Sequence, residues 1–96
     1  GKPITAAEAQ RVGLVNEVVP ASDLLATAQR WAGTIAECSP LSVQATKQAA
    51  LQGLERPLQE AIFTRYPAVE RLWASADAKE GPRAFAEKRA PRWTGR

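Results

Sequence analysis

The stretch Asp77–Arg89, reading DAKEGPRAFAEKR, decides how the rest of the chain is read. Within it Gly81 and Pro82 stand back to back after Glu80. Glycine weakens a helix interior and proline suits a first helical position, so the pair predicts a helix stop and a restart at Pro82. On the new helix Phe85, a ring of buried type, and Lys88 lie three residues apart and share a face. An aromatic ring beside an ammonium can stack on a flat base while pairing with a phosphate. Glu87, Lys88 and Arg89 close the stretch as a run of charge.

Working outward, the chain is helical by pattern. Thr5 and Glu8 have capping-box spacing, which predicts a helix over Ala6–Val12 ended by Gly13. Leu14–Val19 is rich in valine and closed by Pro20, and reads as a short strand or extended segment, the only one in the chain. A lone strand cannot satisfy its own backbone groups, so it needs a sheet from outside these residues. Ser22 or Asp23 caps a second helix running to about Cys38, with Leu24, Leu25, Ala28, Trp31, Ala32, Ile35 and Ala36 as its apolar stripe. Ser39 caps a third, from Pro40 to about Gln52, with a thin alanine-rich apolar side and Gly53 as its stop. Pro57 opens a long fourth helix to about Ser75, kinked near Phe63–Tyr66 because Pro67 removes a backbone donor. Pro91 and Trp93 anchor an irregular tail. The fold class is mostly α, with four to five helices and at most one short strand.

Composition narrows the chemistry. The 96 residues contain one cysteine, no histidine and no methionine, and carry a net charge of +3. Cys38 has no intramolecular disulfide partner, and a reducing cytoplasm is the default location. With no histidine to activate it, Cys38 reads as an inert thiol. No His/Cys/acid cluster has metal-ligand spacing, and no glycine-rich phosphate loop appears. No apolar run is long enough to span a bilayer. Acids and bases interleave along the helices, which describes a solvated surface better than a nucleic-acid face. Glu55, Glu60, Glu70, Asp77, Glu80 and Glu87 each have an Arg or Lys nearby, and surface ion pairing is the reading for all six. Trp31, Tyr66 and Trp73 are more aromatic area than so small a bundle covers, so the piece is expected to pack on a larger core, on other subunits, or on both.

Four blocks then acquire a common meaning. Pro3–Ala9 with Gly13–Pro20, Ser39-Pro40 with Thr46-Lys47, Asp77–Arg89, and the ending Arg89, Pro91, Trp93, Gly95 occur in order. Together they resemble the C-terminal region of the enoyl-CoA hydratase/isomerase family, the crotonases, although phenylalanine is commoner than Trp93 in that ending. The Tyr66-Pro67 break departs from the unbroken helix usual there. The resemblance implies the last third of a longer enzyme. Residues 1–20 would end a crotonase-core-like segment, and 21–96 would form the C-terminal helical, trimerisation region. It also implies an acyl-CoA substrate, no separate cofactor, and a homo-oligomeric parent, trimer or hexamer.

In crotonases two backbone amides stabilise a thioester enolate, and hydratases add two acids that handle the proton and the water. The family keeps all four upstream of the block matching Pro3–Ala9, so the resemblance implies no catalytic residue within this chain. By the residue match Phe85 lies near the adenine of CoA and Lys88 near a CoA phosphate. Val69 matches a position, often aromatic, that borders the acyl pocket. Isomerases, dehalogenases and carbon–carbon bond-forming members share this region, so hydration is taken as the family's commonest reaction. The alternative is a non-catalytic helical oligomerisation or interaction module that binds no CoA.

Overall fold

Where the prolines fall decides where the helices begin. A computed structural model describes residues 1–96. It contains α1 (Ala6–Arg11), a 3-10 turn (Ala21–Asp23), α2 (Leu24–Ala36), α3 (Pro40–Gly53), α4 (Leu58–Phe63), α5 (Pro67–Ala74) and α6 (Asp77–Ala86). The mostly α expectation holds, and no strand is present. The chain divides into two compact units, Gly1–Gly33 and Thr34–Arg96.

In the first unit the Thr5 hydroxyl accepts the Glu8 backbone N–H at 3.1 Å, capping α1 as its spacing predicts. Gly13, at φ +76°, ends the helix. Its N–H donates to the Gln10 carbonyl, and the next N–H, of Leu14, reaches back to the Ala9 carbonyl at 2.8 Å. This paired wrap around a left-handed residue is a Schellman motif, and glycine occupies the left-handed position without steric cost. The expected strand at Leu14–Val19 is irregular chain instead. Valine-rich sequence favours extended backbone, but a strand exists only against a ladder partner, and no other segment provides one. Glu17, inside this segment, accepts Arg30 at 2.6 Å and the Trp31 indole N–H at 2.8 Å. The α2 stripe proves exposed: Leu24 and Leu25 are 65% and 69% accessible, and no residue of α2 is buried.

In the second unit Ser39 caps α3, its hydroxyl accepting the Ser42 N–H at 3.4 Å. Helix α3 packs mainly on α5. The buried apolar residues there are Leu41, Ala45, Tyr66 and Ala84. The long fourth helix divides into α4 and α5, a full break where a kink was expected. Pro67 disfavours helical backbone at the residue before it, and Tyr66 duly sits at φ −93°, ψ 125°. Two contacts hold the break: the Tyr66 hydroxyl donates to the Ala61 carbonyl at 3.0 Å, and the Gln48 side chain of α3 accepts the Ala68 N–H at 2.7 Å.

The helix stop expected at Gly81-Pro82 does not occur, since α6 runs through both. Much of the penalty on a residue preceding proline is a clash with its Cβ, and Gly81 has none. The same missing Cβ leaves room for Trp93, whose ring edge would lie 3.3 Å from it. Trp93 anchors the tail as predicted, donating from its indole to the Glu37 carbonyl at 2.7 Å.

Asp77, 2% exposed, corrects the surface-pair reading of that residue. Its carboxylate accepts the Ser39 hydroxyl at 2.8 Å, the Thr94 N–H at 2.8 Å, the Thr94 hydroxyl at 3.0 Å and the Gly95 N–H at 3.2 Å. These donors, led by the Thr94 N–H, hold its pKa below the ordinary carboxylate value. A depressed carboxylate stabilises the fold above the unfolded pKa of about 4 and loses that contribution as pH falls through the lower folded value. Asp77→Asn is therefore expected to lower the Tm by several degrees at pH 7. It should also flatten the fall of Tm between pH 4 and pH 2; an acid limb identical to wild type in thermal melts contradicts this assignment.

Candidate functional site at the end of helix α6

The resemblance singles out the last turn of α6, and the structure shows how that turn is made. Phe85 lies in the helix and is 87% exposed, not buried as its residue type suggests. Lys88 is one residue past the C-cap, Glu87, so the shared helical face predicted for the pair does not exist. They are joined instead through the backbone: the Lys88 N–H donates to the Phe85 carbonyl at 3.1 Å, and the Arg89 N–H reaches the Ala84 carbonyl at 3.1 Å. This is the same Schellman wrap that ends α1. Here Lys88, at φ +51°, is the one non-glycine residue in the left-handed region. Val69 is half-buried on α5 and belongs to another element.

Charge around the turn is tightly arranged. Arg89 donates to both oxygens of Glu80, at 2.6 and 3.0 Å, to Glu87 at 2.6 Å and to the Ala90 carbonyl at 3.0 Å. Arg83 donates to the other oxygen of Glu87 at 2.8 Å. Glu80 also accepts the Arg92 backbone N–H at 2.7 Å. The Arg89 guanidinium, followed by that N–H, pulls the Glu80 pKa down to about 2. Glu80 and then Glu87 raise that of Arg89. Two arginines and two glutamates thus cancel, and Lys88 stands outside the network. Sequence reasoning saw an ion pair for Glu80 but not this clamp. Nine residues separate it from Arg89, and no local helical spacing marks the contact.

Neither Phe85, Lys88 nor Val69 lines the groove of about 470 Å³ beside α6, which is walled by residues such as Asp77, Lys79, Glu80, Arg83, Arg92 and Thr94. No group of acids, cysteine and histidine is placed to hold a metal ion. No helix is long and apolar enough to cross a membrane. The turn therefore presents an exposed aromatic ring and a lysine outside the ion-pair network.

A lysine in left-handed backbone costs about 1–2 kcal/mol that glycine does not. Lys88→Gly is expected to raise stability by about 1 kcal/mol, read as a higher urea midpoint at unchanged slope. A lower midpoint contradicts the strain.

Comparison with known proteins gives this arrangement its setting. The chain is 46% identical over 95 residues to (E)-benzylidenesuccinyl-CoA hydratase of Thauera aromatica, covering 99% of the chain and 37% of that protein. A Novosphingobium aromaticivorans structure, assigned as a short-chain enoyl-CoA hydratase, superimposes at TM-score 0.90 with 50% identity, covering the whole chain and 38% of that one. A Mycobacterium paratuberculosis enoyl-CoA hydratase/isomerase superimposes at TM-score 0.91 with 41% identity, over 97% of this chain and 37% of that one. The chain spans a little over a third of the length of these relatives. Residues 1–96 match the model of the enoyl-CoA hydratase/isomerase family throughout, and the chain belongs to that family.

Proposed function

We propose that the chain is the C-terminal helical region of an enzyme that reversibly adds water to 2-enoyl-CoA thioesters through an enolate. In this reading residues 1–20 close the catalytic core, and 21–96 supply subunit contacts and part of the CoA site. The hydratases among the relatives support the reaction class. The observation that carries the binding role is the end of α6, where an 87% exposed ring and an unneutralised ammonium sit on one hydrogen-bonded turn. A ring face takes up a flat base by stacking, and a lysine offers a point charge to phosphate. CoA carries both groups. The amides and acids that perform hydration lie, in this reading, outside the 96 residues. Val69 borders the acyl chain, and its small side chain leaves more space than an aromatic residue would.

Phe85→Ala is expected to weaken CoA binding on the order of tenfold, since stacking on one base contributes about 1–3 kcal/mol. Lys88→Ala should do likewise. Calorimetric titration of CoA into the protein carrying this chain checks both, and unchanged affinity in the two variants rejects the reading.

The oligomerisation-module reading draws support from a separate observation. Leu54, Leu58, Phe63 and Trp73 are 83%, 75%, 84% and 73% exposed. So much apolar area in water favours association. The isolated chain is expected to self-associate at high concentration. Sedimentation showing only a 10.4 kDa species at every concentration would sink that expectation.

A further inference from the structure

Two helices in this chain end in the same hydrogen-bonded wrap, and only one carries a residue suited to it. At the end of α1 the left-handed position is Gly13, at φ +76°, and no side chain is strained. At the end of α6 it is Lys88, at φ +51°, with the N–H groups of Lys88 and Arg89 wrapping back to the Phe85 and Ala84 carbonyls. Strained backbone persists where its surroundings over-determine it. Around Gly13 nothing comparable to the α6 clamp is needed. Around Lys88 the next residue, Arg89, is fixed by four hydrogen bonds to Glu80, Glu87 and the Ala90 carbonyl, and is itself half-buried.

We infer that Arg89, held by Glu80 and Glu87, is a positioning residue that keeps Lys88 in its left-handed conformation and presents its ammonium beside Phe85 to an anionic ligand group. The inference rests on the CoA reading of Lys88 and adds the device that aims it. Two features of the clamp serve that end. The paired fork of Arg89 on Glu80 fixes direction as well as distance, which a single contact does not. The balance of Arg83 and Arg89 against Glu80 and Glu87 leaves Lys88, on the turn itself, outside those ion pairs. On the turn itself a phosphate meets the Lys88 ammonium, since the guanidinium groups of Arg83 and Arg89 are already engaged by carboxylate.

The test measures the affinity of the protein carrying this chain for CoA and for pantetheine, which lacks the base and every phosphate. The readout is the ratio of the two. Lys88→Ala is expected to cut the preference for CoA on the order of tenfold, the scale of one charged hydrogen bond. A preference left intact by Lys88→Ala rejects the CoA reading itself. Given that loss, Arg89→Gln is expected to cut the preference several-fold while leaving pantetheine affinity in place. It should add nothing further in the Lys88→Ala background. Arg89→Lys keeps the charge but loses the fork, and should fall between Arg89→Gln and wild type. An Arg89→Gln protein with wild-type preference, or with equal loss for both ligands, overturns the positioning role while the reading of Lys88 survives. If Arg89→Gln does not fold, Arg89→Lys decides: a wild-type ratio overturns the inference and a reduced one upholds it.

Discussion

The Asp77 carboxylate ties the second unit together. It is nearly inaccessible to solvent, yet its partners are neutral hydroxyl and amide donors. One comes from the cap of α3 and the others from the tail, so a single side chain at the first turn of α6 joins three segments distant in sequence. A buried charge is tolerated only when its lone pairs are filled by well-placed donors, and here four are supplied. The neighbouring Ala76 N–H completes the attachment by donating to the Arg96 carbonyl at 2.9 Å. With the tail fixed, Trp93 lies against Gly81, and Arg92 offers its N–H to Glu80.

From that anchor follows the geometry of the far end of α6. Glu80 is one turn along from Asp77 and is held by the tail on one side and by Arg89 on the other. The helix stays continuous through Pro82 because Gly81 removes the side-chain part of the clash and because both ends are tied. The strained turn at Lys88 is thus the last link of a chain of contacts that begins at Asp77. The turn holds Phe85 and Lys88 on one hydrogen-bonded wrap, at the cost of local backbone strain at Lys88.

The apolar faces tell a different story from the polar clasp. Few apolar side chains are buried, while Leu54, Phe63, Trp73 and Phe85 are largely in water.

Much of this was legible in the residues themselves. Caps are local events, so Thr5 with Glu8, and Ser39 before Pro40, announced α1 and α3 correctly, and Gly13 announced the end of α1. The family, too, was legible, because it is written in ordered blocks of sequence. Three features were not. Valine-rich Leu14–Val19 carries a strand's composition but no partner, and pairing is a property of two segments. Gly81-Pro82 carries a helix breaker's composition, yet contacts from Trp93 and Arg89 keep the helix whole. The relation of Phe85 to Lys88 depended on where α6 stops, and that is decided by a left-handed residue and a clamp formed nine positions apart. Sequence alone determined what nearest neighbours along the chain can settle: caps, turns and family. Only the tertiary structure decided the burial of Asp77 and the clamping of Arg89 beside Lys88, because both depend on donors and carboxylates brought together from distant positions.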